Sequence, residues 1–266
     1  MVQDTAIREG RSLSVAAWIV IVVIYLAIVQ GVSALSTSGM HAEYGKFPDT
    51  ETVFRALIIP VGTSMVFVLV VATILGWWRP IWKDRRPVQR WVWIVPILLI
   101  GAALVGTNYS KLADRGAGYT ILFLCAALMV GITEETMFRG IGIVTFRTNG
   151  FSEGKVALWT CLIFGLAHGT NIFVEGPSAL LQVVITAIAG YFFYLTRRVS
   201  GGILLAIVAH GLWDFGLFTG KLGHDLYPLT IVFILVDIVL AVTLLIRRHH
   251  IEPTTAPAHA SIRTTP

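Results

Sequence analysis

The sequence predicts an all-α, polytopic membrane protein of about eight transmembrane helices. Three observations lead there. Of its 266 residues 56% are hydrophobic and only 13% charged, where a soluble domain carries roughly 25% charged residues. Mean hydropathy is +0.78. Apolar runs long enough to cross a hydrocarbon core of about 30 Å recur along most of the chain.

The first run, at about 13 to 35, follows Arg8 and Arg11 as a signal peptide would. It is about 20 residues long and has no small-x-small cleavage site before polar sequence, so it reads as a retained anchor. The runs at about 54 to 78 and 91 to 108 carry no mid-membrane charge or histidine, and like the first they read as packing helices. The fourth, at about 118 to 147, contains two adjacent acids and an arginine. Further runs follow at about 155 to 172, 178 to 196, 201 to 219 and 227 to 246. Cys125 and Cys161 both fall inside these runs, as small buried hydrophobes rather than as a disulfide or a catalytic thiol.

A net charge of +5 with a pI near 9.4 reports topology here rather than nucleic-acid binding. With eight spans and the amino terminus inside, fourteen of the 20 Lys and Arg fall on the cytoplasmic side, five on the other, and Arg139 within a span. The positive-inside rule then places both termini in the cytoplasm, and the cell membrane is the expected location. Trp77, Trp78, Trp82, Trp91 and Trp93 flank the most basic loop, as an interfacial aromatic belt would.

Three short patterns carry the chemistry: EETMFR at 134 to 139, FGLAH at 164 to 168 and HGLWD at 210 to 214. An ionisable residue inside a membrane span is a functional-site hypothesis by default. The i, i+4 spacing lets Glu135 meet Arg139, and His210 meet Asp214, on one helix face. Glu134 then points roughly 100° away from Glu135 and stays free of that pairing. Counted from Arg147, Lys155 and Arg198, the residues Glu134, His168 and His210 sit at similar depth, about 18 to 20 Å from one boundary. Antiparallel helices can bring them to one level. Gly165, Gly169 and Gly211 beside the histidines let helix backbones approach closely. For Glu135 with Arg139 a purely structural ion pair stands as an equal reading. A lone intramembrane histidine is more often a packing residue than a catalyst. Asp237, in the last run, has no partner at helical spacing and receives no site role.

The order E-E-x-x-x-R, F-x-x-x-H, H-x-x-x-D resembles the CPBP intramembrane proteases, which include the type II CAAX prenyl endopeptidases and the Abi-type bacteriocin-processing and immunity proteins. The resemblance covers about residues 119 to 219. It implies an active site between helices 4, 5 and 7, in which Glu134 activates the attacking water and Glu135 and Arg139 support the site. By the same resemblance His168 assists at the water, and His210 with Asp214 serves the oxyanion. Many relatives carry asparagine at the position of Asp214, although aspartate also occurs there. An ionised carboxylate only accepts hydrogen bonds, so oxyanion contact needs a protonated Asp214 or a different role, such as orienting His210.

The implied activity is an intramembrane endopeptidase. Its substrate is expected to be membrane-associated, as a lipidated, signal-like or bacteriocin-type peptide. The lipid bilayer is its medium, nucleic acid is not a partner, and oligomeric state and cleavage site are not set by the sequence. Glu134, His168, His210 and Asp214 also form a two-histidine, two-carboxylate set acceptable to Zn2+; no obligatory metal is the favoured reading. Rival classes are a proton-coupled transporter, for which inverted repeats and Gly/Pro-broken helices are lacking, and a non-catalytic immunity or scaffold protein of the same fold. The chain divides into a cytoplasmic tail at 1–12, one membrane domain at 13–250, and a tail at 251–266 whose Pro253, Pro257 and Pro266 among Thr, Ala and Ser predict disorder.

Overall fold

The computed structural model describes residues 11–40, 45–84, 86, 88–222, 227–247 and 249–251. The tails expected at 1–12 and 251–266 fall almost wholly outside them, as do Arg8, Arg85, Arg248 and Arg263. Every predicted run becomes a helix: α1 Val15–Ser36, α2 Thr50–Leu75, α3 Arg90–Gly106, α4 Tyr109–Thr148, α5 Glu153–His168, α6 Ser178–Ser200, α7 Leu204–Thr219 and α8 Pro228–Ile246. Among the described residues there is no strand, only an isolated bridge between Lys83 and Gly202.

Eight equal crossings do not result. α1, α2, α4, α6 and α8 are long and apolar enough to cross a membrane, whereas α5 and α7 have 16 residues each, about 24 Å at 1.5 Å per residue. α7 can be short because other helices cover it: Ala206, Ile207, His210, Trp213, Phe215 and Thr219 are all buried. Local chemistry moves several boundaries. α2 begins at Thr50 because the Asp49 carboxylate accepts the Thr52 N–H at 2.7 Å, a side-chain cap for an otherwise orphaned donor. It stops at Leu75 because Gly76, at φ 68°, takes the left-handed conformation that ends helices. α4 begins at Tyr109 rather than near 118, capped by Asn108, and Gly116 at φ 84° interrupts it where the apolar run starts.

Two apolar clusters fill the bundle. One joins Trp18 and Tyr25 of α1 to Phe138, Phe146, Phe164, Phe192 and Tyr194. The other, under Phe47, holds Phe123, Phe215 and Leu222. Trp77 is 3% exposed and packs in the first cluster, so the expected tryptophan belt loses that member, while Trp82 and Trp93 remain exposed. α1 is more than a packing helix: its Gln30 Nε2 donates to Thr170 Oγ1 at 2.9 Å and to Asn171 Oδ1 at 3.2 Å, just past His168.

The ends of α4, α5 and α6 that carry Arg147, Glu153, Arg197 and Arg198 are locked by an ion network. Asp84, on the segment joining α2 to α3, pairs with Arg147 at 2.9 Å and Arg197 at 3.3 Å. Glu153 pairs with Arg147 at 2.6 Å and Arg198 at 2.9 Å, and accepts the Tyr194 hydroxyl at 2.7 Å. Burial alone would raise both carboxyls. The guanidinium groups overcome it, holding Asp84 below the usual carboxylate range and bringing Glu153 down to about 2.

Candidate active site

Beyond the Gly116 interruption α4 is regular up to Glu134 and then widens. Glu135–Gly142 is π-helical, and all eight residues are buried. Such wide turns are uncommon and recur at functional sites. Here the turn carries the Glu135–Arg139 pair inward, with Glu134 at its threshold. α5 supplies His168 as its last residue, followed by a 3-10 turn at Gly169–Asn171. The span expected to run to 172 therefore stops at the histidine. α7 supplies His210 and Asp214.

Glycines set how closely these helices meet. A Cβ on Gly131 would lie 2.5 Å from the Ile207 carbonyl, and one on Gly211 would lie 2.9 Å from Leu128 Cα, so α4 and α7 touch through backbone. Gly165 does the same for α5 against α6, where a Cβ would meet the Val183 carbonyl at 2.5 Å. Gly169 has only an ordinary 3.4 Å contact with the Val183 side chain and is not a close-approach position. Gly131 was not visible in the motifs, and neither was Gly190, whose missing side chain makes room for Arg139: a Cβ there would lie 2.6 Å from Nη2.

All six sequence candidates converge. Glu135 Oε1 accepts from Arg139 Nη1 at 2.9 Å, with both side chains fully buried. It also pairs with His210 Nδ1 at 2.9 Å. Helical spacing predicts Asp214 as a partner of His210; the nearer partner is Glu135, from another helix, and Asp214 Oδ2 stands 3.6 Å from His210 Nε2. The Arg139 guanidinium lies over the Phe164 ring at 3.9 Å, a cation–π contact that replaces part of its lost hydration. Phe193 stacks on His210 at 4.4 Å and 12°. Between these aromatic rings the imidazole plane is fixed.

Glu134 is the member left open. Its Oε2 is buried without a hydrogen-bond partner, 3.7 Å from His210 Nε2 and 4.0 Å from His168 Nε2. Those gaps are too long for direct hydrogen bonds. His168 Nδ1 lies 3.0 Å from the Phe164 carbonyl, which can only accept. The proton is thus assigned to Nδ1, and in the neutral form of the ring Nε2 carries the lone pair on the side of Glu134. Among the described residues no group of three or more His, Cys, Asp or Glu side chains is arranged to hold a metal ion. Glu134, His168, His210 and Asp214 are close but not set as a zinc cluster.

The fold and site define a polytopic α-helical membrane protein with an acid, histidine and arginine cluster inside its bundle. Residues 116–216 match the family model of the type II CAAX prenyl endopeptidases, Rce1-like. The matched segment holds all three motifs and supports the CPBP/CAAX protease family, and with it a CAAX-type intramembrane endopeptidase in general. No curated protein and no solved structure shows a match to this chain.

Proposed function

We propose that this protein is an intramembrane endopeptidase that hydrolyses a peptide bond in a membrane-associated substrate, with Glu134 as the base that activates water. The observation that carries this reading is the unpartnered Glu134 Oε2 facing two imidazole Nε2 atoms at 3.7 and 4.0 Å. Amide hydrolysis needs a positioned base, donors aimed at the developing oxyanion and a site shielded from bulk water. In this reading Glu134 takes a proton from water held between it and His168 Nε2, and the hydroxide attacks the scissile carbonyl. The tetrahedral intermediate collapses as Glu134 returns the proton to the leaving amine.

His210 donates from Nε2 to the oxyanion in its charged form. Its Nδ1 is turned by Glu135, which Arg139 in turn holds. Asp214, an acceptor near Nε2, is assigned to orienting His210 rather than to direct oxyanion contact. A lipidated, signal-like or bacteriocin-type peptide fits a site enclosed by helices, because such a substrate is already in the membrane.

Glu134→Gln tests the proposal. The amide keeps the volume and removes the base, so cleavage of membrane peptides should fall by at least about 10² while insertion and thermal stability hold. A Glu134→Gln protein with full activity would sink the assignment, and comparing membrane peptides from cells with each form names the substrate.

A further inference from the structure

The Glu135–Gly142 wide turn is buried along its whole length, where water cannot satisfy backbone groups that leave the regular helix ladder. The Arg139 carbonyl within it accepts from Arg197 Nη1. The same guanidinium, itself fully buried, donates to the Ile81 carbonyl at 2.9 Å and the Pro80 carbonyl at 2.7 Å, and its Nε to Asp84 at 3.3 Å. Asp84 is fixed in return: its N–H donates to the Gly201 carbonyl at 2.9 Å, at the end of the helix that carries Arg197. Packing repeats the message. A Cβ on Gly140 would meet Ile81 Cγ2 at 3.0 Å, and one on Gly202 would meet the Trp82 carbonyl at 2.4 Å. Residues 80–84 are therefore pressed between the wide turn of α4 and the end of α6.

We propose that Arg197, braced by Asp84, is a positioning residue for the site: it fixes the wide turn and thereby the aim of Glu134 and of the Arg139–Glu135–His210 chain. The backbone of Arg139 is held by Arg197 while its side chain holds Glu135, so displacement of one carbonyl moves both links. Residues 80–84 lie outside the family-matched segment, which makes the α2–α3 connection part of the support of the site. The work requires a planar fork with several donors in fixed directions. A lysine ammonium keeps the charge but cannot reach three carbonyls and a carboxylate from one plane. The consequence for cleavage rests on Glu134 being the base; the consequence for the wide turn does not.

The test uses the full chain in lipid nanodiscs and compares Arg197→Lys and Asp84→Asn with an exposed control, Arg79→Ala. Hydrogen exchange is read at 134–142 and, as an internal reference, along α8, together with kcat and KM on a cleaved membrane peptide. In Arg197→Lys, exchange at 134–142 should rise by about tenfold or more with α8 unchanged, and kcat should fall by a similar factor at constant KM. Asp84→Asn should show the same local pattern more weakly, and it carries the test if Arg197→Lys fails to fold. Arg79→Ala should match the parent. Unchanged exchange at 134–142, or a rise shared equally by α8, overturns the positioning role. Loosening confined to 134–142 in a parent protein that cleaves nothing upholds it and removes the protease reading instead.

Discussion

Removing the Arg139 guanidinium should be among the most damaging single changes to stability, and the geometry sets the size. Arg139 and Glu135 are both fully buried and 2.9 Å apart. Arg139→Met keeps most of the volume but leaves a buried carboxylate with His210 alone. Breaking a buried ion pair by removing one partner costs about 3–5 kcal/mol, and the lost contact with the Phe164 ring falls within that range. The double variant Arg139→Met with Glu135→Leu deletes both charges. What then remains uncompensated is His210 Nδ1, a penalty of about 1–3 kcal/mol for an unsatisfied buried polar group. The pair should therefore be strongly non-additive, with the double variant less damaged than Arg139→Met alone. Equilibrium unfolding of purified Arg139→Met, Glu135→Leu and the double variant in mixed micelles measures all three. A cost under about 1 kcal/mol for Arg139→Met, or a double variant equal to the sum of the singles, would refute the argument that this pair is held together by burial.

Two further outcomes follow. Glu153 has its carboxyl brought from 4.5 down to about 2 in the folded protein, so its contribution is fully present above about pH 4.5 and is lost as pH falls toward 2. Thermal midpoints measured across that window should drop more steeply for the parent than for Glu153→Gln, and parallel curves would contradict it. Asp214→Asn should retain substantial activity without bound metal, since the amide adds a donor at similar volume; loss of activity on chelation, restored by zinc and absent in Asp214→Asn, would assign Asp214 to a metal instead.

The helices and the site were legible to different degrees, for physical reasons. Hydropathy located all eight helices because burial in lipid or protein selects apolar side chains either way. The same insensitivity hid the shortness of α7, since a covered helix and a lipid-crossing one look alike in composition. Helical spacing found the Glu135–Arg139 pair, which is local. It assigned His210 to Asp214 because periodicity ranks only partners on the same helix, whereas Glu135 reaches His210 across the α4–α7 contact at Gly131 and Gly211. The wide turn at Glu135–Gly142 has no signature in residue type. It depends on carbonyl partners such as Arg197, 58 residues away. Arg197 and Arg198 pair internally with Asp84 and Glu153, so a loop acid near clustered cations carries a partial signal of that support.

The brevity of α5 has a consequence for the membrane around it. Leu158, Trp159, Leu162 and Leu166 on this helix face outward, yet its 16 residues span about 24 Å against a hydrocarbon core of about 30 Å. Where α5 lies against a bilayer of that thickness, the acyl chains beside it shorten or tilt, at fractions of a kcal/mol per ångström of mismatch. His168 closes this helix, at the end where such thinning would bring the headgroups nearer to the imidazole.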